Sequence, residues 1–506
     1  MGEVGKEEET EESDAIDKLD YKAVNEGKKG RDRKDFSILI EVDKEKRNII
    51  LSDNGIGMTK DELENNLGVI ARSGSLQFKK ENEKQDEIDI IGQFGVGFYS
   101  SFMVSDKVVV ETKAFGSEDA YMWESEGVEG YTITDIDKSD YGTKITLHIK
   151  TSTEDENYDE FLDKYKIKSL VKKYSDYIRY PIKMDIEKTK MKEGTGEEGK
   201  EAEYETYTEN EVLNSMVPIW KKSKAEVTDE DYNNFYKDKF FDWQNPLRVI
   251  KTTTEGTATY DALLFIPENA PMDFYTKEYE KGLQLYASGV LIMEKCADLL
   301  PDYFSFVKGL VDSQDLSLNI SREMLQHDRQ LKIIAGRLEK KIISELKSML
   351  NSDREKYEKF FSSFGLQLKY GMYDRYGAHK DDLKDLVLFT SSNEKKMVTL
   401  AEYVQGMKDG QQYIYYGCGE TPEKILNLPQ AEAALEKGYE LLCLTENVDE
   451  FAVKMLEKYD DKEFRNISSE STDLQSDEEK QEIEKLSESN KDMLEFLKTS
   501  LDGKVK

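Results

Sequence analysis

Between Glu187 and Asn210 nearly every residue is charged, glycine, threonine or tyrosine, and such a stretch has too few apolar side chains to bury a core. A chain of 506 residues interrupted in this way is expected to build separate units on either side rather than fold around one centre. A second polar interruption, acidic and serine-rich, runs from Asn466 to Lys480. The expected organisation is a unit over residues 1–186, a charged linker over 187–210 and a larger unit over 211–462. A linker over 463–480 and the start of a further helical unit over 481–506 follow.

In the first unit, Phe36, Ile38, Ile40 and Val42 alternate with polar residues, and a charged turn then leads to Ile49-Ile50-Leu51. Period-two alternation of this kind predicts a β-hairpin, and its second strand runs straight into Ser52-Asp53-Asn54-Gly55. Further strands are predicted over 107–112, 121–124, 131–134 and 144–149. Ile167, Leu170, Val171, Tyr174 and Ile178 mark a helix expected to reach Tyr180-Pro181, where proline stops it. A short helix near Ser13 sets Ala15, Ile16 and Leu19 on one face, whereas Met1 to Glu12 has no apolar periodicity and reads as a solvated tail. The fold class is α+β, a mostly antiparallel sheet with helices on one face. The second unit reads as α/β, with its most apolar strand at Ala262–Ile266 and a long helix from about Asp328 to Leu350. Ile483, Leu486, Met493, Leu494, Leu497 and Leu501 mark a last amphipathic helix with no later element to pack on, as expected of a domain cut short.

The composition narrows the function classes. Hydrophobic residues are 38% and charged residues 35% of the chain, with a net charge of −33; phosphate-bearing partners are repelled over most of such a surface, so neither nucleic acid nor a membrane surface is expected as a partner. No apolar run approaches the roughly 20 residues that span a bilayer, and the acidic start carries no export signal. Cys296, Cys418 and Cys443 lie far apart without metal-type spacing. The three histidines, His148, His327 and His379, are dispersed, which predicts no metal site. The expectation is a cytoplasmic protein.

Three local motifs carry chemistry. Asp53-Asn54-Gly55-Ile56-Gly57-Met58 stands at a strand end, where a carboxylate can accept a hydrogen bond from an exocyclic amine and two glycines let a flat ring approach. The same residues also suit a plain hairpin turn. Gly92-Gln93-Phe94-Gly95-Val96-Gly97-Phe98 precedes an apolar stretch, and glycines ahead of a helix can aim successive N–H groups at phosphate oxygens. No Gly-Lys-Ser/Thr follows, so this is not a Walker A loop. Between the two lies Asn65 to Ser75, whose glycine and serine content suits a mobile cover, with Arg72 able to reach phosphate; an ordinary surface helix and loop is the plainer reading.

In this order the three blocks resemble the adenine-nucleotide site of the Bergerat-type ATPases, which include gyrase B subunits, MutL-type repair proteins and sensor histidine kinases. Asn66-Leu67-Gly68, Ser73-Gly74 and Gly92–Ser100 resemble the heat-shock protein 90 chaperones, bacterial type, as do Ser13-Asp14-Ala15-Ile16-Asp17-Lys18. Leu318-Asn319-Ile320-Ser321-Arg322-Glu323-Met324-Leu325-Gln326 is similar to that family's catalytic loop. Pro218-Ile219-Trp220 and Ser305–Ser313 match as well, so the resemblance covers about Ser13 to Lys506. It implies an N-terminal ATPase domain, an α/β middle domain and a helical remnant of a third. It also implies an ATP-dependent molecular chaperone that uses ATP/ADP and Mg2+ to close a homodimeric clamp on unfolded client proteins.

By the same resemblance Asp53 would bind the adenine amine, directly and through water shared with Thr143, while Met58 and Leu67 flank the base. Asn66 would meet the sugar–phosphate side and Arg72 the phosphates. Gly95, Val96, Gly97 and Phe98 would wrap them with main-chain donors. Asp14, Ala15 and Lys18 would form floor and rim, Arg322 would reach the γ-phosphate with Gln326 in support, and the region of Trp220 would touch clients. The chain departs from the family at its start, where a strand and a helix are missing. Glu7 falls at the position of the water-orienting glutamate and Glu11 at that of the magnesium-holding asparagine. A start unable to pack as a helix would leave a non-hydrolysing client-binding scaffold, the alternative reading. The absent last domain implies a monomer or weak dimer.

Overall fold

In the computed structural model the described residues are 4–25, 35–69, 97–128, 130–191, 204–314, 316 and 329–469, with 489–491, 493 and 496. The first unit is built on a sheet of strands β1 (Ile38–Asp43), β2 (Asn48–Asp53), β3 (Ser105–Lys113), β4 (Ala120–Ser125), β5 (Tyr131–Ile136), β6 (Gly142–Ile149), β7 (Ile182–Met191) and β8 (Tyr204–Val212). Their order is β5-β4-β3-β6-β2-β1-β7-β8, and every neighbouring pair is antiparallel except β1 with β7. The hairpin expected from the alternation is present, with Ile38 opposite Asp53 and Asp43 opposite Asn48. Helices α1 (Val4–Asn25), α2 (Lys60–Asn66) and α3 (Lys164–Tyr174) share one core with the sheet: Ile16 and Leu19 of α1, Leu63 of α2 and Ile167 and Val171 of α3 are buried with Ile40, Leu51, Val108 and Leu147.

Three expectations are corrected here. The segment read as a solvated tail belongs to α1, which runs as helix from Val4, and Glu12, Ser13 and Asp14 are buried in it. Glutamates near a helix N-terminus are favoured by the backbone dipole, and a helix anchored by Ile16 and Leu19 extends readily through them. Where it is described, the charged linker is strand: β7 and β8 pair from Lys183–Val212 to Met191–Tyr204, and residues 192–203 lie outside the described residues. Lys188 and Lys190 stand 3.1 and 3.0 Å from Glu209 and Glu205 across the ladder. A hairpin that prolongs an existing sheet needs pairing partners rather than a core of its own. Finally, α3 stops at Tyr174, well before Pro181, because the next turn is tied elsewhere. Ser215 and Met216 donate their N–H groups to Asp176 O, at 2.8 and 3.0 Å.

The second unit holds two sheets on one continuous core. Strands β9 (Arg248–Thr254), β10 (Tyr260–Ile266), β11 (Leu283–Ala287), β12 (Val290–Cys296) and β13 (Lys308–Ser313) are ordered β12-β11-β13-β10-β9. Helix α4 (Asp229–Phe240) covers one face, and the pair α5 (Arg329–Ser352) and α6 (Arg354–Gly377) covers the other. The run at 262–266 is apolar throughout because both its faces are covered: Ala262, Leu264 and Ile266 join the α5–α6 side, Leu263 and Phe265 the α4 side.

After the short helix α7 (Lys380–Leu383) come β14 (Leu388–Ser391), β15 (Met397–Thr399), α8 (Leu400–Gly406), β16 (Tyr413–Cys418), α9 (Pro422–Leu426), α10 (Pro429–Glu436), β17 (Leu442–Leu444), α11 (Asn447–Leu456), β18 (Lys458–Tyr459) and β19 (Lys462–Asn466). These strands form a mixed sheet ordered β15-β14-β17-β16-β19-β18. Strand β19 carries the unit past residue 462 to Asn466. The helix expected over 483–501 lies almost wholly outside the described residues. No helix among the described residues is long and apolar enough to cross a membrane.

Candidate functional site

Strand β2 delivers Asp53 to the edge of the first unit's core, where its side chain is buried. The chain then turns through a set of contacts that leave it little freedom. Asn54 accepts from Ser37 N–H at 3.1 Å and donates to Asp35 O at 2.6 Å. Gly55 N–H donates to Asp53 Oδ1 at 2.6 Å, Ile56 N–H donates to Ala15 O on α1 at 3.0 Å, and Met58 N–H donates to Thr112 Oγ1 at 2.9 Å. Thr112 in turn lies 3.2 Å from Thr143 Oγ1, with either hydroxyl free to donate.

Two glycines are required by close approach. Gly57 has φ +63, and a Cβ there would stand 2.0 Å from Lys113 O; Gly142 has φ +113, and a Cβ there would stand 2.3 Å from Asp53 O. Any side chain at either position would push the Asp53 turn away from β3 or β6.

The electrostatics of Asp53 follow from its burial. Loss of hydration pushes its carboxyl from the ordinary 3.8 up to about 7, against the opposing pull of the Gly55 N–H, the Lys138 ammonium and the Thr143 backbone N–H. The group is an oxygen acceptor held at fixed orientation in a water-poor setting, poised to change charge near neutral pH. An amine donor offered by a flat ring suits it chemically.

The 3-10 turn Gly97–Met103 packs against α1. Phe98 is buried, its ring edge-on to Trp123 at 5.4 Å. Tyr99 donates from its hydroxyl to Leu67 O at 2.6 Å, so the end of α2 is tied to this turn. Thr59 caps α2 and Glu62 reciprocates in a capping box, which fixes where the helix starts and hence where Asn66 and Leu67 emerge.

Of the residues expected at the site, the structure brings Ala15, Asp53, Met58 and Thr143 into one hydrogen-bonded neighbourhood, as just described. Asp14 is buried and Lys18 half-buried on α1, which also touches β2. Leu67 is buried, and Gly97 and Phe98 begin the 3-10 turn that α1 and Leu67 both contact. Arg72, Gly95, Val96, Arg322 and Gln326 lie outside the described residues. Sequence reasoning missed Thr112, Gly142 and Tyr99. The Tyr141-Gly142-Thr143 sequence before a strand was the available signal for Gly142, whereas Thr112 faces Thr143 only through the β3–β6 register.

The family described as "Histidine kinase-, DNA gyrase B-, and HSP90-like ATPase" matches residues 29–156, and the family "Hsp90 protein" matches residues 160–206 and 192–506. The chain is 59% identical over 493 residues to the "Chaperone protein HtpG" of Clostridium perfringens, covering 97% of this chain and 78% of that protein. It is 58% identical over 494 residues to the proteins of the same name from Clostridium botulinum and Halalkalibacterium halodurans, covering 98% of this chain and 78% of each.

The buried carboxyl makes a stability prediction. A carboxylic acid whose folded pKa lies above its unfolded value favours folding at low pH, and that contribution is lost as pH rises through the folded pKa. Asp53→Asn is therefore expected to gain stability over the parent as pH rises from 4 to above 7, by up to about 4 kcal/mol. Urea titrations at pH 4.5 and pH 8 check it; an equal difference at both pH values would mean that Asp53 does not titrate with folding.

Proposed function

The chain belongs to the Hsp90 protein family, and on that premise we propose that it is an ATP-dependent molecular chaperone whose nucleotide site is built around Asp53. The observation that carries the reading is the buried, backbone-anchored Asp53 carboxyl at the end of β2, flanked by Thr143 and by the two close-approach glycines. Its free acceptor capacity matches the exocyclic amine of adenine, and guanine has no donor at that position. Met58 and Leu67 would flank the base, Asn66 the sugar side. Gly97 and Phe98, with Gly95, Val96 and Arg72, would meet the phosphates. Asp14, Ala15 and Lys18 would shape the floor.

Hydrolysis belongs to the same reading. Transfer of a phosphoryl group is catalysed mainly by positioning and by neutralising charge on its oxygens, and a guanidinium at Arg322, supported by Gln326, supplies that charge. The alternative of a non-hydrolysing scaffold drew on the degraded general-base and magnesium segment at the start, whereas the chain is 59% identical over 493 residues to a chaperone HtpG. That alternative is not favoured.

The resemblance points to Trp220 for client contact, yet Trp220 is fully buried and donates from Nε1 to Asp312 Oδ2 at 3.0 Å. It is core. The same unit instead presents Phe241, Trp243 and Met272 almost fully to solvent. The side chains of Asn269 and Gln244 are hydrogen-bonded, which ties the Trp243 turn to the loop carrying Met272. Large apolar side chains held out in water mark an interaction surface, and unfolded segments of client proteins are its expected partner. The chaperone is expected to work in the cytoplasm, and dimerisation follows from family membership.

Isothermal titration with ADP tests the nucleotide site. The parent is expected to bind and Asp53→Asn to lose measurable binding, while Arg322→Ala keeps binding and loses turnover on the order of a hundredfold; unchanged binding in Asp53→Asn would refute the site. For the client surface, Trp243→Ala with Met272→Ser should weaken suppression of aggregation of an unfolded model protein without changing ADP binding. Unimpaired suppression would locate client contact elsewhere.

A further inference from the structure

Away from Asp53, one group of side chains on two elements points to a ligand of its own. Glu339 lies in the middle of α5, His379 is the N-cap of α7, and Asp382 sits in the first turn of α7. One donor atom from each lies within 4.8 Å of the others, and His379 Nδ1 is 3.6 Å from Glu339 Oε1. Two ligands of a tetrahedral zinc ion with bonds near 2.1 Å stand about 3.4 Å apart, so the imidazole and the Glu339 carboxylate already have the required separation. A modest rotation brings in Asp382, which is exposed and free to move.

Tyr303 orients the pair. It is buried, its hydroxyl lies 2.6 Å from Glu339 Oε1 and 3.1 Å from His379 Nδ1, and its ring centroid is 5.1 Å from that of His379. The phenol donates to the Glu339 carboxylate and so fixes that side chain beside the imidazole. Metal-ligating side chains depend on such partners to hold their donor atoms in position. Dispersal of histidines along the sequence therefore hid this arrangement: His379 and Asp382 are three residues apart, but Glu339 reaches them only through the packing of α5 against the α6–α7 corner.

We propose that Glu339, His379 and Asp382 bind one divalent metal ion of the zinc class. One imidazole and two carboxylates suit a borderline cation better than magnesium or calcium, which prefer oxygen donors alone. Three protein ligands leave a fourth position for water. The net charge of −33 concentrates cations around the chain. Binding would clamp α5 to α7 where α6 ends in the non-helical residues Asp374, Arg375 and Tyr376, stiffening that corner of the middle unit.

Equilibrium dialysis of the full chain against Zn2+, with Co2+ absorption as a spectroscopic reporter, tests this. The parent is expected to retain one ion per chain and to melt at a higher temperature with it. His379→Ala and Asp382→Asn should each weaken binding by at least about tenfold, and Asp382, being exposed, is not needed for folding. Cys418→Ser and His148→Ala should bind as the parent does. Equal retention by parent, His379→Ala and Asp382→Asn would assign the metal to the general acidic surface and overturn the proposal, as would a parent that retains none.

Discussion

The first unit is organised around a carboxyl group placed where water is scarce. Burying Asp53 opposes its ionisation, and the chain compensates with backbone donors: Gly55 N–H at 2.6 Å and the N–H of Thr143. Those donors exist only because the turn after β2 is fixed on three sides, by Ala15 of α1, by Thr112 of β3 and by the Cβ-free approach of Gly142 on β6. The sheet order, which sets β6 between β2 and β3, is therefore a precondition of the site. A buried carboxyl of this kind costs the fold some local stability.

Much of this was legible in the sequence. Alternation over Phe36–Val42 located the hairpin, the run of Ile49–Leu51 into Ser52-Asp53-Asn54-Gly55 located the turn after its second strand, and the apolar run at 262–266 located a strand. The failures have a common physical origin. Residues 187–210 and Met1–Glu12 were judged by their capacity to bury a core, yet pairing with an existing sheet edge and extension of an anchored helix require no core at all. The Lys188–Glu209 ion pair, diagonal across the β7–β8 ladder, joins positions 21 residues apart that local composition does not relate.

Side-chain identity likewise did not determine exposure. Trp220 and Trp243 flank the same helix in sequence, but Trp220 fills the space between α4 and the β9–β13 sheet while Trp243 stands in solvent. The difference lies in Asp312, a buried acceptor on β13 that meets the Trp220 indole and also accepts from Gly289 N–H at 3.2 Å. Tyr303, Glu339 and His379 teach the same lesson in reverse: residues of no evident pattern in the chain become a donor cluster once α5 and α7 are packed together.

The central claim is that the Asp53 carboxyl reads the exocyclic amine of adenine. Titrating the chain with ADP and with inosine diphosphate, which carries an oxygen in place of that amine, tests it most directly. At pH 8, where the Asp53 carboxyl is mostly ionised, the account predicts that the inosine nucleotide binds weaker by more than about tenfold, because a buried acceptor then faces another acceptor. Equal affinity for the two nucleotides would contradict it.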